Sequence, residues 1–159
     1  MSTPATTIRP ATVADLPEIA RLIRVLNTEE GYDISAPVEA LEEVLFSKHA
    51  QVPMRALIAE AQRKPVGLAL YYWGYDTVSA TYGYHLADIV VDPSLRGQGV
   101  GVQLFNTLAQ QCLEESGQWI SLTVLKQNDR AQRFYRKRGM VEVAVNFFAI
   151  GPQGLARCT

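Results

Sequence analysis

The residues best suited to chemistry form one stretch, Val90-Val91-Asp92-Pro93-Ser94-Leu95-Arg96-Gly97-Gln98-Gly99-Val100-Gly101. An apolar segment stops at Asp92-Pro93, three glycines fall within five residues, and an amphipathic run from Val102 to Glu115 follows. Without Cβ atoms such a turn can be tight, and its consecutive N–H groups stay unshielded. At a helix N-terminus those amides add to the positive end of the macrodipole, so the turn is a cradle for an anion. Arg96 adds a fixed positive charge beside it. The segment therefore predicts a ligand that carries phosphate.

The glycine spacing discriminates among phosphate ligands. A Walker-type loop needs Lys-Ser or Lys-Thr after its last glycine, whereas Gly101 is followed by Val102-Gln103. A dinucleotide turn needs G-x-G-x-x-G and an acidic residue at the end of the next strand. Here the glycines are spaced G-x-G-x-G, and the next strand ends Val124-Leu125-Lys126. A turn that binds nothing is the remaining alternative, and three glycines would then cost backbone entropy without return.

The elements around this turn follow from apolar periodicity. Ile8 to Ala11 reads as an edge strand. Thr12 and Asp15 are candidate N-caps for a helix whose apolar positions are Leu16, Ile19, Ala20, Ile23 and Leu26. The pattern breaks over Thr28 to Asp33. Ser35 and Pro37 start a second helix with Val38, Leu41, Val44 and Leu45 on one face. Arg55 to Glu60, Val66 to Tyr75 and Tyr84 to Val91 read as strands joined by polar turns. The helix after the glycine turn places Leu104, Phe105, Leu108 and Cys112 inward and ends near Gly117. Trp119 to Leu125 reads as a strand, Asn128-Asp129 caps a helix stopped by Gly139, and Val141 to Ile150 supplies one or two final strands. The order β-α-α-β-β-β-α-β-α-β predicts an α/β domain spanning residues 1–159. Its early strands should pair antiparallel, and Tyr84 to Leu125 should form a parallel crossover.

Composition narrows the partners. The 159 residues are 48% hydrophobic and 19% charged with a net charge of -1, a balance that argues against nucleic acid. No apolar run is long enough to span a bilayer, so no membrane partner is expected. Met1 to Pro10 lacks the apolar core of a signal peptide. Cys112 and Cys158 have no metal-ligand spacing, so no metal is expected. Both read as free thiols of a reducing compartment, which predicts a cytoplasmic protein.

Two separated motifs resemble one family. Arg96-x-x-Gly99-x-Gly101 is similar to the motif with which GNAT N-acetyltransferases hold the pyrophosphate of acetyl-CoA. Asn128-x-x-Ala131-x-x-Phe134-Tyr135-x-x-x-Gly139-Met140 resembles the family's second signature, and Ile8-Arg9-Pro10-Ala11-Thr12 with Asp15-Leu16 its opening. The likeness covers nearly the whole chain. Ala69 to Asp76, Leu86 to Val91 and Phe134 to Gly139 are most similar to the spermidine/spermine and thialysine acetyltransferase branch. The resemblance implies a mixed sheet of six to seven strands flanked by about four helices, with a parallel strand pair splayed at the acetyl-CoA site. It implies that the backbone of Ile89, Val90 and Val91 pairs with the pantetheine arm. Arg96, Gly97, Gln98, Gly99, Val100, Gly101 and Val102 would hold the pyrophosphate. Asn128, Arg133, Phe134 and Arg136 would line the thioester end.

Acetyl transfer to an amine needs a neutral nitrogen, since an alkyl ammonium titrates near ~10.4, and a proton donor for the leaving thiolate. A phenol of pKa about 10 can be that donor. By position alone Tyr135 would read as a core aromatic beside Phe134, but it matches the family's position for the donor, and the resemblance favours that role. The polyamine branch has a substrate-binding glutamate where this chain has Ala87. Strand alternation places His85, Ala87 and Ile89 on one face and Asp88 on the other, so His85 could remove a proton there, or be a structural histidine. Glu29 and Glu30 follow the first helix; Glu30 falls where the branch has an acidic substrate contact, and both could draw a cationic amine. Tyr72 belongs to an aromatic block, Tyr71, Tyr72, Trp73, Tyr75, Tyr82 and Tyr84, that could line a substrate pocket or an interface of a homodimer. The expected reaction is acetyl transfer to a small-molecule amine. A protein or peptide amine acceptor, and a non-catalytic acyl-CoA-binding module, are the alternatives.

Overall fold

The computed structural model describes residues 5–158, so the first four residues of the polar N-terminal stretch lie outside it. Two compact units are present, divided between Thr123 and Val124.

The first unit contains a five-stranded sheet in the order β1-β2-β3-β4-β5. Its elements are β1 (Thr6–Pro10), α1 (Leu16–Glu29), α2 (Val38–Phe46), β2 (Arg55–Ala61), β3 (Lys64–Asp76), β4 (Thr81–Val91), α3 (Val100–Glu114) and β5 (Ile120–Ser121). β1 to β4 pair antiparallel in succession, and β5 joins β4 in parallel through Tyr84↔Ile120 and His85↔Ser121. One sheet face sets Ala56, Ile58, Leu68, Leu70 and Val90 against Leu16, Ile19, Leu22 and Ile23 of α1 and Leu41 of α2. α3 buries Val100, Leu104, Phe105, Leu108 and Cys112. Leu104 packs at Gly67, which points away from the face of Leu68, so α3 covers the opposite side. Burying these apolar side chains is the main drive to form both layers.

The entry to α1 is held by charge. Arg9 on β1 donates to Asp15 Oδ1 and Oδ2 at 2.8 Å and to Glu60 on β2 at 2.8 Å. Asp15 also accepts from the Thr12 amide at 2.8 Å. It is 5% exposed, and the guanidinium of Arg9, with the Thr12 hydrogen bonds, holds its carboxyl down at about 2 against the opposing effect of burial. A carboxyl with a folded-state pKa below its unfolded value stabilises the fold above the unfolded pKa, and that contribution disappears as pH falls through the folded one. Between about pH 4 and pH 2 the parent should lose about 2 kcal/mol through this group. Asp15→Asn should show lower stability at pH 7 and lack that part of the acid loss, as checked by urea unfolding at several pH values. Equal pH dependence in both proteins would remove Asp15 from this role.

The second unit contains α4 (Asp129–Lys137) and a single helical turn, α5 (Pro152–Leu155). Asn128 caps α4, its side-chain oxygen accepting from the Ala131 amide at 3.1 Å.

Among the described residues the expected six to seven strands become five. Val141 to Ile150 forms no strand, and Val141, Val143, Val145, Phe147 and Phe148 are exposed. Alternation gives this segment strand propensity, but a strand also needs a neighbouring edge to receive its backbone groups. The expected strand Trp119 to Leu125 is reduced to Ile120–Ser121 because β5 parts from β4 after His85.

Candidate functional site

The glycine turn is built as its sequence requires. Asp92 closes β4 and accepts from the Ser94 amide at 3.1 Å, and one 3-10 turn, Pro93–Leu95, leads to Arg96. Gly97 and Gly99 take left-handed backbone angles, φ +77° and +86°, and nothing lies within 4 Å of where a Cβ would stand on either. Such φ values favour glycine, and the open space leaves the backbone approachable. Val100, 2% exposed, anchors the turn in the core. Gln103 makes the first bond back to Gly99, 3.0 Å, so the amides of Val100, Gly101 and Val102 precede the helical ladder and have no acceptor within it. Gln98 bends back to the Ser94 carbonyl at 3.3 Å.

Beside the turn runs a free strand edge. β4 pairs with β5 only at Tyr84 and His85. No described strand adjoins that edge from Leu86 to Val91, the stretch that includes Ile89, Val90 and Val91. Arg96 is turned back beneath the turn, its Nε donating to the Val91 carbonyl at 2.8 Å and its Nη1 to Glu29 Oε1 at 2.5 Å.

The structure corrects the face of β4. Tyr71 pairs with Leu86 but Leu70 pairs with Asp88, leaving Ala87 as the extra residue of a β-bulge. Cross-strand partners share a face, so the bulge reverses the alternation. His85 lies opposite Tyr72, and Asp88, opposite Leu70, returns to that same α1-facing side. Ile89, opposite Ala69, goes to the other face. The expected grouping of His85, Ala87 and Ile89, with Asp88 turned away, is therefore wrong for Ile89 and Asp88. Ala87 packs partly against the α1–α2 core.

His85 and Asp88 thus share one face of β4, each with its own neighbours. The His85 ring lies 5.0 Å from Tyr72, and its Nδ1 is 3.1 Å from Ser121 Oγ. Burial holds the His85 pKa below its ordinary value, which favours the neutral ring. Burial, and then the charge of Glu30, push the Asp88 carboxyl above the usual carboxylate range. Glu30 is thus the acidic residue that Asp88 feels, while Glu29 is committed to Arg96. Asp88 was not among the expected site residues, and only the cross-strand register reveals it. The aromatic block divides: Tyr71 and Tyr84 are buried, while Trp73, Tyr75 and Tyr82 are exposed.

Asn128, Arg133, Phe134, Tyr135 and Arg136 share the second unit, on α4 and at its cap. Phe134 and Tyr135 meet edge to face with centroids 5.4 Å apart. Arg136 pairs with Glu142 at 2.8 Å. A cavity of about 400 Å³ between Leu45, Met54, Arg55 and Tyr71 lies away from the expected residues. Two of its lining groups, Arg55 and Glu115, pair with each other at 2.7 Å, and Glu115 also accepts from Tyr84 at 2.8 Å. Among the described residues no group of three or more His, Cys, Asp or Glu is placed to hold a metal ion. No described helix is long and apolar enough to cross a membrane.

The family model of the acetyltransferase (GNAT) family matches residues 19–140. The chain belongs to the GNAT acetyltransferase family. A thialysine N-epsilon-acetyltransferase of Bos taurus is 34% identical to this acetyltransferase over 142 residues, covering 83% of this chain and 82% of the relative. The solved structure of an aminoglycoside acetyltransferase from an uncultured soil metagenomic sample, in complex with trehalose, superposes with a TM-score of 0.76 at 24% identity. That match covers 91% of this chain and 95% of the other. The aminoglycoside N-acetyltransferase AAC(6')-Iy in complex with CoA gives 0.76 at 21% identity, covering 95% and 97%. The GNAT fold, with its mixed sheet and terminal parallel pair, and membership of an acetyl-transferring enzyme family are thereby shown for this chain.

Proposed function

We propose that this acetyltransferase moves the acetyl group of acetyl-CoA to a primary amine of a small molecule by direct attack in a ternary complex. The observation that carries the reading is the open glycine turn at the α3 N-terminus, beside a β4 edge that no described strand covers from Leu86 to Val91. The residues fit the donor. Amides from Gly97 to Val102 are placed so that a pyrophosphate could meet them, and the edge from Ile89 to Val91 can accept an extended arm as a strand would. Bound acetyl-CoA would supply an activated acyl carbon and a thiol leaving group.

The chain's own residues handle charge and protons. Glu30 and Asp88 draw an alkyl ammonium to the α1-facing side of β4, where Tyr72 gives it an aromatic wall. Its proton passes to His85, whose neutral ring is favoured by burial. As the C–N bond forms and the C–S bond breaks, the leaving sulfur takes up a proton, and the family likeness assigns that donation to the Tyr135 phenol and the thioester end to Asn128, Arg133, Phe134 and Arg136. A covalent acetyl-cysteine is not needed. Cys112 is buried, and burial raises its thiol pKa, which disfavours the nucleophilic thiolate.

The acceptor is sought among diamino acids, polyamines and aminoglycosides, and the relative's thialysine is a first member to try. Calorimetry with acetyl-CoA, followed by product detection over those amines and peptide N-termini, tests the reading. Acetylation of small diamines is expected. Acetylation of peptides alone would make the protein a peptide acetyltransferase, and donor binding without product on any amine would make it a binding module. The exposed Trp73, Tyr75 and Tyr82 are read as the face that joins two copies in a homodimer.

A further inference from the structure

The arginine of the glycine turn reaches towards α1, not out over the open turn. Its Nη1 donates to Glu29 in the last turn of α1, 67 residues earlier in the chain, and its Nε to the carbonyl of Val91 at the end of β4. The Arg96 side chain is 19% exposed and that of Glu29 43%. A second tie fastens the other end of the same turn to the same helix. Arg21 donates to Asp92 Oδ2 at 2.9 Å, and Asp92 receives the Ser94 amide through its other oxygen. The segment from Asp92 to Arg96 is thus strapped to α1 at both ends, and the two glycines that open the amides follow directly.

We propose that Glu29 is a positioning residue for the donor site. Through Arg96 and the Val91 carbonyl its carboxylate fixes the turn against β4, so that the Gly97–Val102 amides are set before acetyl-CoA arrives. A guanidinium has five donors in a planar fork, and here that fork joins helix, strand end and turn. Glu29 balances the charge of Arg96, and the anion is met by backbone amides and the helix dipole. The inference rests on the reading that the turn holds the acetyl-CoA pyrophosphate.

The charge arithmetic separates this role from a direct one. If Arg96 bound phosphate chiefly through its charge, removing the competing carboxylate would free it and tighten binding. If Glu29 positions the turn, removing it weakens binding. Calorimetry of acetyl-CoA with the parent, Glu29→Gln, Arg96→Gln and the double variant decides, with hydrogen exchange of the Gly97 to Gly101 amides in the ligand-free proteins beside it. The ion pair is partly exposed, so Glu29→Gln should weaken acetyl-CoA binding about 3- to 5-fold. It should also speed exchange in the turn while the core of α3 stays protected. The double variant should bind like Arg96→Gln alone, because the two side chains act as one strut, and Glu29→Asp should recover part of the affinity. Unchanged or tighter binding by Glu29→Gln, unchanged turn exchange, or additive losses in the double variant would overturn the proposal. A parent that does not bind acetyl-CoA would instead overturn the functional reading beneath it.

Discussion

Tyr135→Phe should lower turnover by about 10²- to 10³-fold, the range for loss of one positioned proton donor, while acetyl-CoA binds as before. The phenylalanine keeps the ring that meets Phe134 edge to face and removes only the hydroxyl. Without a donor, coenzyme A must depart as the thiolate, and the penalty falls on the step in which the C–S bond breaks. The loss should therefore appear in kcat, with the dissociation constant for acetyl-CoA moved little. Leaving-group acidity gives a second readout: acetyl thioesters of more acidic thiols should narrow the gap between variant and parent. Equal turnover in both proteins would remove Tyr135 from the chemistry and leave it as a packing residue of α4.

Asp88→Asn should lower kcat/KM for the amine by about 10²-fold and leave acetyl-CoA binding near the parent value. The substitution keeps the shape beside Leu70 but removes the charge that, with Glu30, attracts an ammonium. The pH dependence carries the sign. Burial and the Glu30 charge raise the Asp88 pKa, so the carboxylate required for amine capture forms at a higher pH than for an ordinary aspartate. In the parent, kcat/KM should rise with pH as Asp88 ionises, and that component should vanish in the asparagine variant. His85 contributes in the opposite direction of shift: its lowered pKa keeps a neutral ring to more acidic pH. An unchanged kcat/KM and pH profile in Asp88→Asn would return Asp88 to a structural role.

The contrast between Tyr135 and Asp88 shows what a linear sequence conveys. The glycine turn is legible because its physics is local: left-handed φ values, absent Cβ atoms and a helix start all lie within residues Gly97 to Val102. The buried positions of α1 and α3 are legible for the same reason, since helical periodicity alone selects Leu16, Ile19, Ile23, Leu104 and Leu108. Tyr135 is legible through the spacing of its motif from Asn128 to Gly139. Asp88 is not, because its face depends on which residue of β3 stands opposite, and one bulged residue at Ala87 reverses the pattern. The pairing of Glu29 with Arg96 is equally hidden, joining positions 67 residues apart. Val141 to Ile150 shows the converse error, in which local strand propensity is strong but no described ladder receives it.

The central claim is acetyl transfer from acetyl-CoA to a small primary amine, and the stoichiometry of one reaction tests it most directly. Purified protein is mixed with acetyl-CoA and each amine of the panel, and released thiol and N-acetylated product are measured in the same sample. The predicted result is thiol release that depends on the amine, matched one to one by N-acetyl product. Acetyl-CoA that binds but yields no thiol with any amine, or thiol released without acetylated amine, would contradict it.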